Sequence, residues 1–369
     1  MTTHLNAAAH DTPKMHSIEA ARALAALSVA LMHAANLMRV EHFSGHVGLG
    51  GIFDSGYVGV DFFFVLSGFI ITFVHFADIG QVGRIPAYLW RRFSRIYPIY
   101  WAILLLSIVL ISLARVATGK GAGFEIGLAE IPSTVLLWMS ADEPKYVGVA
   151  WSLQYEVVFY AAFCALLANA RAGVLLFVAW GGFVLARVAG LVTADLPLNL
   201  GNPHCLQFLF GVAVGAAARR FRLRASAGVL VLAVCGWVAA VALESYGPFG
   251  RHAAAGRIAL GLAAAVILAA LVALENARAI RVPAWLARIG SVSYSIYLGH
   301  ILFINLTYAL LLKLGLYHKL PELLVYLIAL SVALGATMLI GFRVELPLVR
   351  CLKDRFGRSG VTKSPALAR

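Results

Sequence analysis

The sequence predicts an all-α polytopic membrane protein with about ten transmembrane helices. Hydrophobic residues make up 61% of the 369 residues, charged residues make up 13%, and the mean hydropathy is +0.86. A soluble domain carries about 25% charged residues, so this composition excludes that class. Apolar runs of about 20 residues, enough to cross a hydrocarbon core, recur along the chain. We place them at 17–38, 57–77, 97–115, 149–168, 173–192, 203–218, 226–243, 255–274, 291–313 and 321–344.

Basic residues are distributed unevenly between these segments, and this asymmetry predicts the orientation. Most follow the even-numbered segments: Arg84, Arg91, Arg92, Arg95, Arg171, Arg219, Arg220, Arg222, Arg224, Arg278, Arg281, Arg288, Arg350, Lys353, Arg355, Arg358 and Lys363. Loops rich in lysine and arginine face the cytoplasm, so we expect both termini to be cytoplasmic. The net charge of +13 thus reflects topology, and we do not expect nucleic-acid binding.

The same pattern predicts one membrane domain between two tails. We assign residues 1–16 to a cytoplasmic N-terminal tail, 17–348 to the transmembrane domain and 349–369 to a basic cytoplasmic tail. Short interfacial helices are expected in the loops near Ile131 and Trp285. The four cysteines lack metal-binding spacing, so we expect no metal site.

The first segment carries two ionisable side chains on one helical face. Arg22 and His33 fall within about 20° of each other and about 16 Å apart along the helix axis. Ionisable groups inside a membrane often mark a substrate path or a catalytic site. The alternative is structural: an arginine that reaches the interface and a histidine that bonds a neighbouring helix.

The predicted topology gives two carboxylates nearly the same depth as His33. Asp61 in the second segment and Glu156 in the fourth both lie within about 10 Å of the outer surface at 1.5 Å per residue. A carboxylate that accepts from one imidazole nitrogen raises the basicity of the other. We therefore expect Asp61 or Glu156 to orient His33 as a base; a polar cluster that only joins the helices is the alternative.

Two arginines and a second histidine are further candidates. Arg91 and Arg95 are one helical turn apart at the cytoplasmic side, where two guanidinium groups can hold a phosphate or pyrophosphate. Orientation in the membrane also places arginines there. His300 follows two tyrosines in the ninth segment and suits a packed position or a functional one equally well.

Five motifs in this order resemble the acyltransferase-3 family of membrane acyltransferases, in particular the exopolysaccharide and Nod-factor O-acetyltransferases. They are the Arg22-to-His33 spacing, GYVGVDFFFVLSGF, RRFSRIYP, WSLQYEVVFY and SYSIYLGH. The resemblance covers about residues 15–348. It implies transfer of an acyl group, usually acetyl from cytoplasmic acetyl-CoA, to a hydroxyl of a cell-surface or lipid-linked glycan at the bacterial inner membrane.

The resemblance also implies roles for individual residues. The family's essential arginine and histidine match Arg22 and His33, and its other motifs match the RRFSR and WSLQYE segments. We assign catalysis to His33, Arg22, Glu156 and Asp61, and acyl-CoA binding to Arg91, Arg95, Trp151, Ser152 and His300. The expected partners are acyl-CoA, the glycan acceptor, the bilayer and polysaccharide-synthesis machinery.

Two departures from the family pattern bear on the mechanism. Many relatives carry an appended extracytoplasmic hydrolase-like domain, whereas only a basic tail follows the tenth segment here. Val157 stands where many relatives have a second acidic residue, so Glu156 is the single carboxylate of its motif. Direct transfer to a hydroxyl activated by His33 and transfer through an acyl-His33 intermediate both fit the sequence.

Two other functions use the same residues differently. A glycan or small-molecule transporter or flippase could use intramembrane histidine, arginine and aspartate as a substrate path. Transporters often contain internal repeats, and the two halves of this chain show none. A structural partner of a polysaccharide synthase is the third hypothesis, and it predicts that His33 is dispensable.

Overall fold

The computed structural model describes residues 15–357 apart from 42, 118–125, 139–143, 195, 197–198 and 247–252. Within these residues the chain forms helices and no β-strand, which confirms the all-α class. Residues 1–14 and 358–369, most of the two predicted tails, lie outside the described residues. The α-helices are α1 (His16–Leu37), α2 (Val58–His75), α3 (Ile85–Ala117), α4 (Ile131–Thr134), α5 (Trp151–Ala168), α6 (Ala170–Val188), α7 (His204–Arg220), α8 (Ala227–Tyr246), α9 (Ala254–Asn276), α10 (Ala284–Gly290), α11 (Ser293–Lys313), α12 (Glu322–Ile340) and α13 (Leu346–Gly357).

Each of the ten predicted membrane segments corresponds to an α-helix. Nine helical stretches among the described residues are long and apolar enough to cross a bilayer. The sixth predicted segment is α7, which has only 17 residues. At 1.5 Å per residue it extends about 26 Å, slightly less than a hydrocarbon core of about 30 Å. The chain is thus an integral membrane protein.

The loops contain two short helices near the predicted interfacial positions. The seven-residue α10 carries Trp285, whose side chain is exposed. Near Ile131 only the four-residue α4 forms, and the predicted run ends at Met139, outside the described residues. The helix after Leu346 continues to Gly357, into the segment that we predicted as a tail.

Helix α3 is longer than the predicted span of 97–115. It runs for 33 residues and includes the arginine-rich segment together with the membrane span. Pro98 lies inside it. A proline removes one backbone donor, but its fixed φ is compatible with a helix. The arginines are therefore carried on a helix that continues directly into the membrane.

Glycines bring α2 very close to its neighbours. A Cβ at Gly59 would lie 2.6 Å from Ser28 Oγ on α1, and one at Gly211 of α7 would collide with the carbonyl oxygen of Val65. Real Cβ atoms essentially never approach other atoms so closely. Small residues at such crossings let helix backbones meet, so polar side chains of α2 can reach α7 and its neighbours.

Helix α1 is fixed at both ends. At its start Glu275 accepts hydrogen bonds from the backbone N–H groups of His16, at 2.7 Å, and Ser17, at 2.9 Å. Near its C-terminal end Tyr308 donates to the carbonyl of Ala34 at 2.8 Å. Helix α1 packs against α11, which also contacts α12 and α3. Arg22 and His33 are thus held against α11.

Candidate functional site

Helices α1 and α11 meet along the face that carries both predicted residues of α1. Arg22 Nε donates to Ser293 Oγ at 3.2 Å, and Arg22 Nη1 lies 3.7 Å from Glu19 Oε2. Toward the other end of α1, His33 contacts His300. The two candidate residues of α1 therefore lie at opposite ends of one helix–helix interface.

The contacts of His300 determine which nitrogen of His33 carries the proton. His300 Nδ1 is 3.0 Å from the carbonyl oxygen of Ile296, and a carbonyl only accepts, so Nδ1 is protonated. In the neutral ring Nε2 is then an acceptor, and it lies 2.9 Å from His33 Nδ1. The proton between the rings consequently belongs to His33 Nδ1, which also lies 3.1 Å from the carbonyl oxygen of Val29.

This tautomer leaves the lone pair of His33 on Nε2. Among the described residues Nε2 has no hydrogen-bond partner, and the His33 side chain is only partly buried. A neutral imidazole with one nitrogen fixed as donor and the other unoccupied is equipped to accept a proton. The geometry of a general base is thus present.

Asp61 does not contact His33, which corrects the predicted contact. Its Oδ2 accepts from Arg257 Nη1 at 2.5 Å and its Oδ1 from Gln207 Nε2 at 2.6 Å. His204 Nδ1 lies 3.8 Å from Oδ1. Matched depth fixes a residue along the membrane normal but not its direction around the helix, and Asp61 faces α7 and α9.

Glu156 also lies away from His33. Its Oε2 accepts a hydrogen bond from Tyr160 at 3.2 Å. The second predicted carboxylate contact with His33 is therefore also corrected. Glu156 instead lies near the arginines of α3, because its partner Tyr160 has the Arg92 guanidinium 5.6 Å from its ring centre.

The three arginines in the RRFSR segment of α3 separate into an exposed residue and two that face the protein. Arg91 is exposed. Arg95 Nη1 lies 3.8 Å from Glu345 Oε1, and its guanidinium lies 6.0 Å from the Tyr294 ring centre. Arg92 lies over the rings of Tyr88 and Tyr160 at 5.7 Å and 5.6 Å. Arg92 and Arg95, three residues apart, form the inward-facing pair.

The WSLQYE segment lies between the two histidine-containing groups. Ser152 Oγ is 2.8 Å from the hydroxyl oxygen of Tyr297, one turn before His300. The Trp151 ring lies 5.6 Å from the ring of His204. Ser152 therefore contacts the group formed by His33, Tyr297 and His300, which we call the α11 group. Trp151 contacts the group around Asp61.

The sequence interpretation missed several buried or half-buried residues. Around Asp61 they are His204, Gln207, Glu244 and Arg257; near the arginines they are Arg92 and Glu345. One signal existed, because Arg92 is three residues from Arg95, whereas Glu345 directly follows the tenth predicted segment. The described residues contain no cluster of three or more His, Cys, Asp or Glu side chains suited to a metal ion.

Comparisons with known proteins agree with this architecture. The exopolysaccharide production protein ExoZ of Rhizobium meliloti (strain 1021) is 27% identical over 311 residues, which cover 82% of this chain and 92% of that protein. The acyltransferase MdmB of Streptomyces mycarofaciens is 27% identical over 155 residues, 41% of this chain and 38% of that protein. No solved structure matches the chain.

The family described as "Acyltransferase domain" matches residues 15–342. This range begins at the start of α1 and ends in the turn that precedes Glu345. It includes Arg22, His33, both inward-facing arginines and His300. The chain therefore belongs to the acyltransferase-3 family of membrane proteins and is an acyltransferase.

Proposed function

We propose that the protein transfers an acetyl group from cytoplasmic acetyl-CoA to a hydroxyl of a cell-surface or lipid-linked glycan. The observation that carries this proposal is the unoccupied Nε2 of His33, fixed as an acceptor by the contacts of Nδ1. A glycan acceptor is supported by the similarity to an exopolysaccharide production protein along most of both chains. The acyl donor is required by the family's chemistry.

In the proposed orientation the protein spans a bacterial inner membrane and both termini lie on its cytoplasmic side. It depends on α7 crossing the bilayer despite its length of 17 residues. Arg219 and Arg220 at its end support this, because basic residues favour the cytoplasmic side. In this topology the catalytic unit is 17–348, flanked by the cytoplasmic segments 1–16 and 349–369.

The arginine group is the proposed donor site at the cytoplasmic side. Arg92 and Arg95 present two guanidinium groups, with exposed Arg91 beside them and Arg22 deeper in the protein. Guanidinium groups bind phosphate through paired charge-assisted hydrogen bonds. The phosphates of acetyl-CoA bind here, and the acetyl-pantetheine arm extends along α11 toward Tyr297 and His33.

At the other end of this path His33 acts as the base. Nε2 takes the proton of the acceptor hydroxyl while that oxygen attacks the thioester carbonyl carbon. The carbon–sulfur bond then breaks, the ester remains on the acceptor, and the thiolate of CoA takes the proton back from Nε2. His300 positions the ring by accepting from Nδ1, so we assign it to the catalytic group and no longer to the acyl-CoA site.

The test uses labelled acetyl-CoA and membrane vesicles that contain the full chain with an acceptor glycan. The wild-type protein should release CoA and transfer label to glycan. His33→Ala should lower the rate by about 10²- to 10⁴-fold, the usual contribution of a general base. The exposed His318 gives a matched control, since His318→Ala should leave the rate unchanged.

Three outcomes decide between the proposal and its alternatives. A transporter would move glycan, but no CoA would be released and no label would reach the glycan. A structural partner of a synthase would remain functional after His33→Ala. Full transfer by a correctly inserted His33→Ala protein would contradict the role of His33.

A further inference from the structure

Glu345 is a buried carboxylate that none of the sequence motifs includes. It is the last residue of a π-helical turn, Gly341–Glu345, between α12 and α13, and its side chain is fully buried. Isolated carboxylates are costly to bury, so a buried one requires hydrogen bonds or a counter-charge. The contacts of its two oxygens show how Glu345 is accommodated.

One oxygen of Glu345 holds the start of α11. Oε2 accepts from the backbone N–H of Ser295 at 3.2 Å and from Ser295 Oγ at 2.7 Å. The first N–H groups of a helix lack partners within the helix, and a carboxylate there also interacts favourably with the helix dipole. Glu345 therefore acts as a cap supplied by another helix.

The other oxygen faces Arg95. Oε1 is buried, makes no hydrogen bond among the described residues and lies 3.8 Å from Arg95 Nη1. Charge-assisted hydrogen bonds are about 2.7–2.9 Å long, so this contact is an ion pair without a close hydrogen bond. The charge of Glu345 thus attracts Arg95, while the N–H groups of the guanidinium remain able to donate to another acceptor.

The wide helical turn explains how Glu345 reaches these partners. At its first residue, Gly341, an added Cβ would lie 2.5 Å from Val292 Cβ, next to the start of α11. The glycine lets the π-turn approach the segment before α11 closely. The π-turn also inserts an extra residue, which changes the direction of the following side chains. Such turns occur frequently at functional sites.

We propose that Glu345 is a positioning residue that fixes Arg95 relative to the start of α11. The next turns of α11 carry Tyr297 and His300, so this clamp sets the distance between the phosphate-binding arginine and the base. Glu345 itself does not touch the substrate. The inference rests on the proposed donor role of Arg95.

The experiment is a double-mutant cycle on the KM for acetyl-CoA, measured with the full chain in vesicles. Glu345→Gln keeps the size and an acceptor for Ser295 but removes the charge. It should raise KM about tenfold with kcat within about twofold, since ground-state donor binding is affected. Arg95→Ala should raise KM at least as much, and Glu345→Gln in that background should add little, as expected for coupled residues.

Glu275 provides the matched control. It caps the start of α1 through the N–H groups of His16 and Ser17 and has no arginine partner among the described residues. Glu275→Gln makes the same chemical change at another helix start. It should leave KM for acetyl-CoA within about twofold of wild type, because capping alone does not position an arginine.

The outcomes separate this inference from the proposed function. If Arg95→Ala keeps the wild-type KM, the donor role of Arg95 fails. If Arg95→Ala raises KM but Glu345→Gln has no effect, or adds its full effect in the Arg95→Ala background, the positioning role is overturned. If Glu345→Gln does not reach the membrane, Ser295→Ala replaces it in the cycle and should show the same lack of additivity with a smaller rise in KM.

Discussion

The protein contains two groups of ionisable side chains that differ in how completely their central residues, Asp61 and His33, are hydrogen-bonded. Both oxygens of Asp61 accept short hydrogen bonds, from Arg257 and Gln207. In the α11 group, His33 Nε2 has no hydrogen-bond partner among the described residues. A paired network stabilises one arrangement of helices, whereas unpaired atoms can bind a substrate. The comparison assigns stability to the first group and chemistry to the second.

The largest expected effect is on the stability of the Asp61 group. Asp61→Ala leaves Arg257 without its closest carboxylate in the protein interior. Breaking one partner of a buried pair costs about 3–5 kcal/mol of unfolding free energy. Thermal unfolding of the purified protein in detergent should show a large decrease in Tm, while His33→Ala, which removes one neutral hydrogen bond to His300, should lower Tm much less.

A double variant gives the control for this prediction. Asp61→Leu combined with Arg257→Met removes both charges, and replacing a buried pair by apolar residues is often neutral. It should recover much of the lost Tm. An Asp61→Ala protein with wild-type Tm but no transferase activity would place Asp61 in the catalytic site and end the contrast between the groups.

The second prediction concerns the hydrogen bond between the histidines. His300→Ala removes the acceptor for His33 Nδ1–H. His300→Ala should lower kcat by less than the about 10²- to 10⁴-fold expected for His33→Ala, because it removes the group that orients the base and leaves the base itself. His300→Asn offers a side-chain carbonyl as a replacement acceptor and should recover part of the rate. If His300 had only a structural role, its variants would differ in Tm, and His300→Ala and His300→Asn would have the same kcat.

The fold was largely predictable because the bilayer imposes one length and one polarity on each crossing. All ten apolar segments correspond to helices, although α3 extends through the arginine segment. The direction of side chains around each helix was not predictable. Tertiary packing turns Asp61 toward Arg257 on α9, and Glu156 accepts a hydrogen bond from Tyr160, one turn further along α5.

The contact between His33 and His300 was also beyond the sequence, since it joins residues 267 positions apart. Nothing in the spacing of either helix states which faces meet. The motifs did identify both histidines as candidates, so the sequence supplied the residues and the structure supplied the pair. Glu345 was missed because the π-turn that directs it inward has no clear signal in the apolar pattern.

The third prediction concerns the close approach of α2 and α7, which brings Asp61 and Gln207 together. An added methyl group at Gly211 would collide with the carbonyl of Val65. Overpacking of this kind costs about 1–3 kcal/mol, so Gly211→Ala should lower Tm in detergent. A Cβ added at Gly236 on α8 would meet nothing within 4 Å, so Gly236→Ala should leave Tm unchanged or raise it. Equal Tm values for the two variants would contradict the proposed packing.

The smallest effect is expected in the loop between α1 and α2, away from both groups. His46 Nε2 lies 3.3 Å from Glu322 Oε2, and Glu322 Oε1 also accepts from the backbone N–H of Leu49, whose φ is 56°. The carboxylate, with the carbonyl of Ser44, raises the pKa of His46 above its usual 6.5. The contact with protonated His46 is therefore fully present below about pH 6.5 and is lost as pH rises through the raised pKa.

The loss of this contact as pH rises can be tested through the pH dependence of Tm. The wild-type protein should lose slightly more Tm than His46→Gln between about pH 5.5 and about pH 8.5. The difference should be small because exposed ion pairs contribute little. The exposed His318 again gives the control, since His318→Gln should follow the wild-type curve. Parallel curves for wild type and His46→Gln would show that Glu322 holds the loop through Leu49 alone, which would leave both groups as the sites where charge matters.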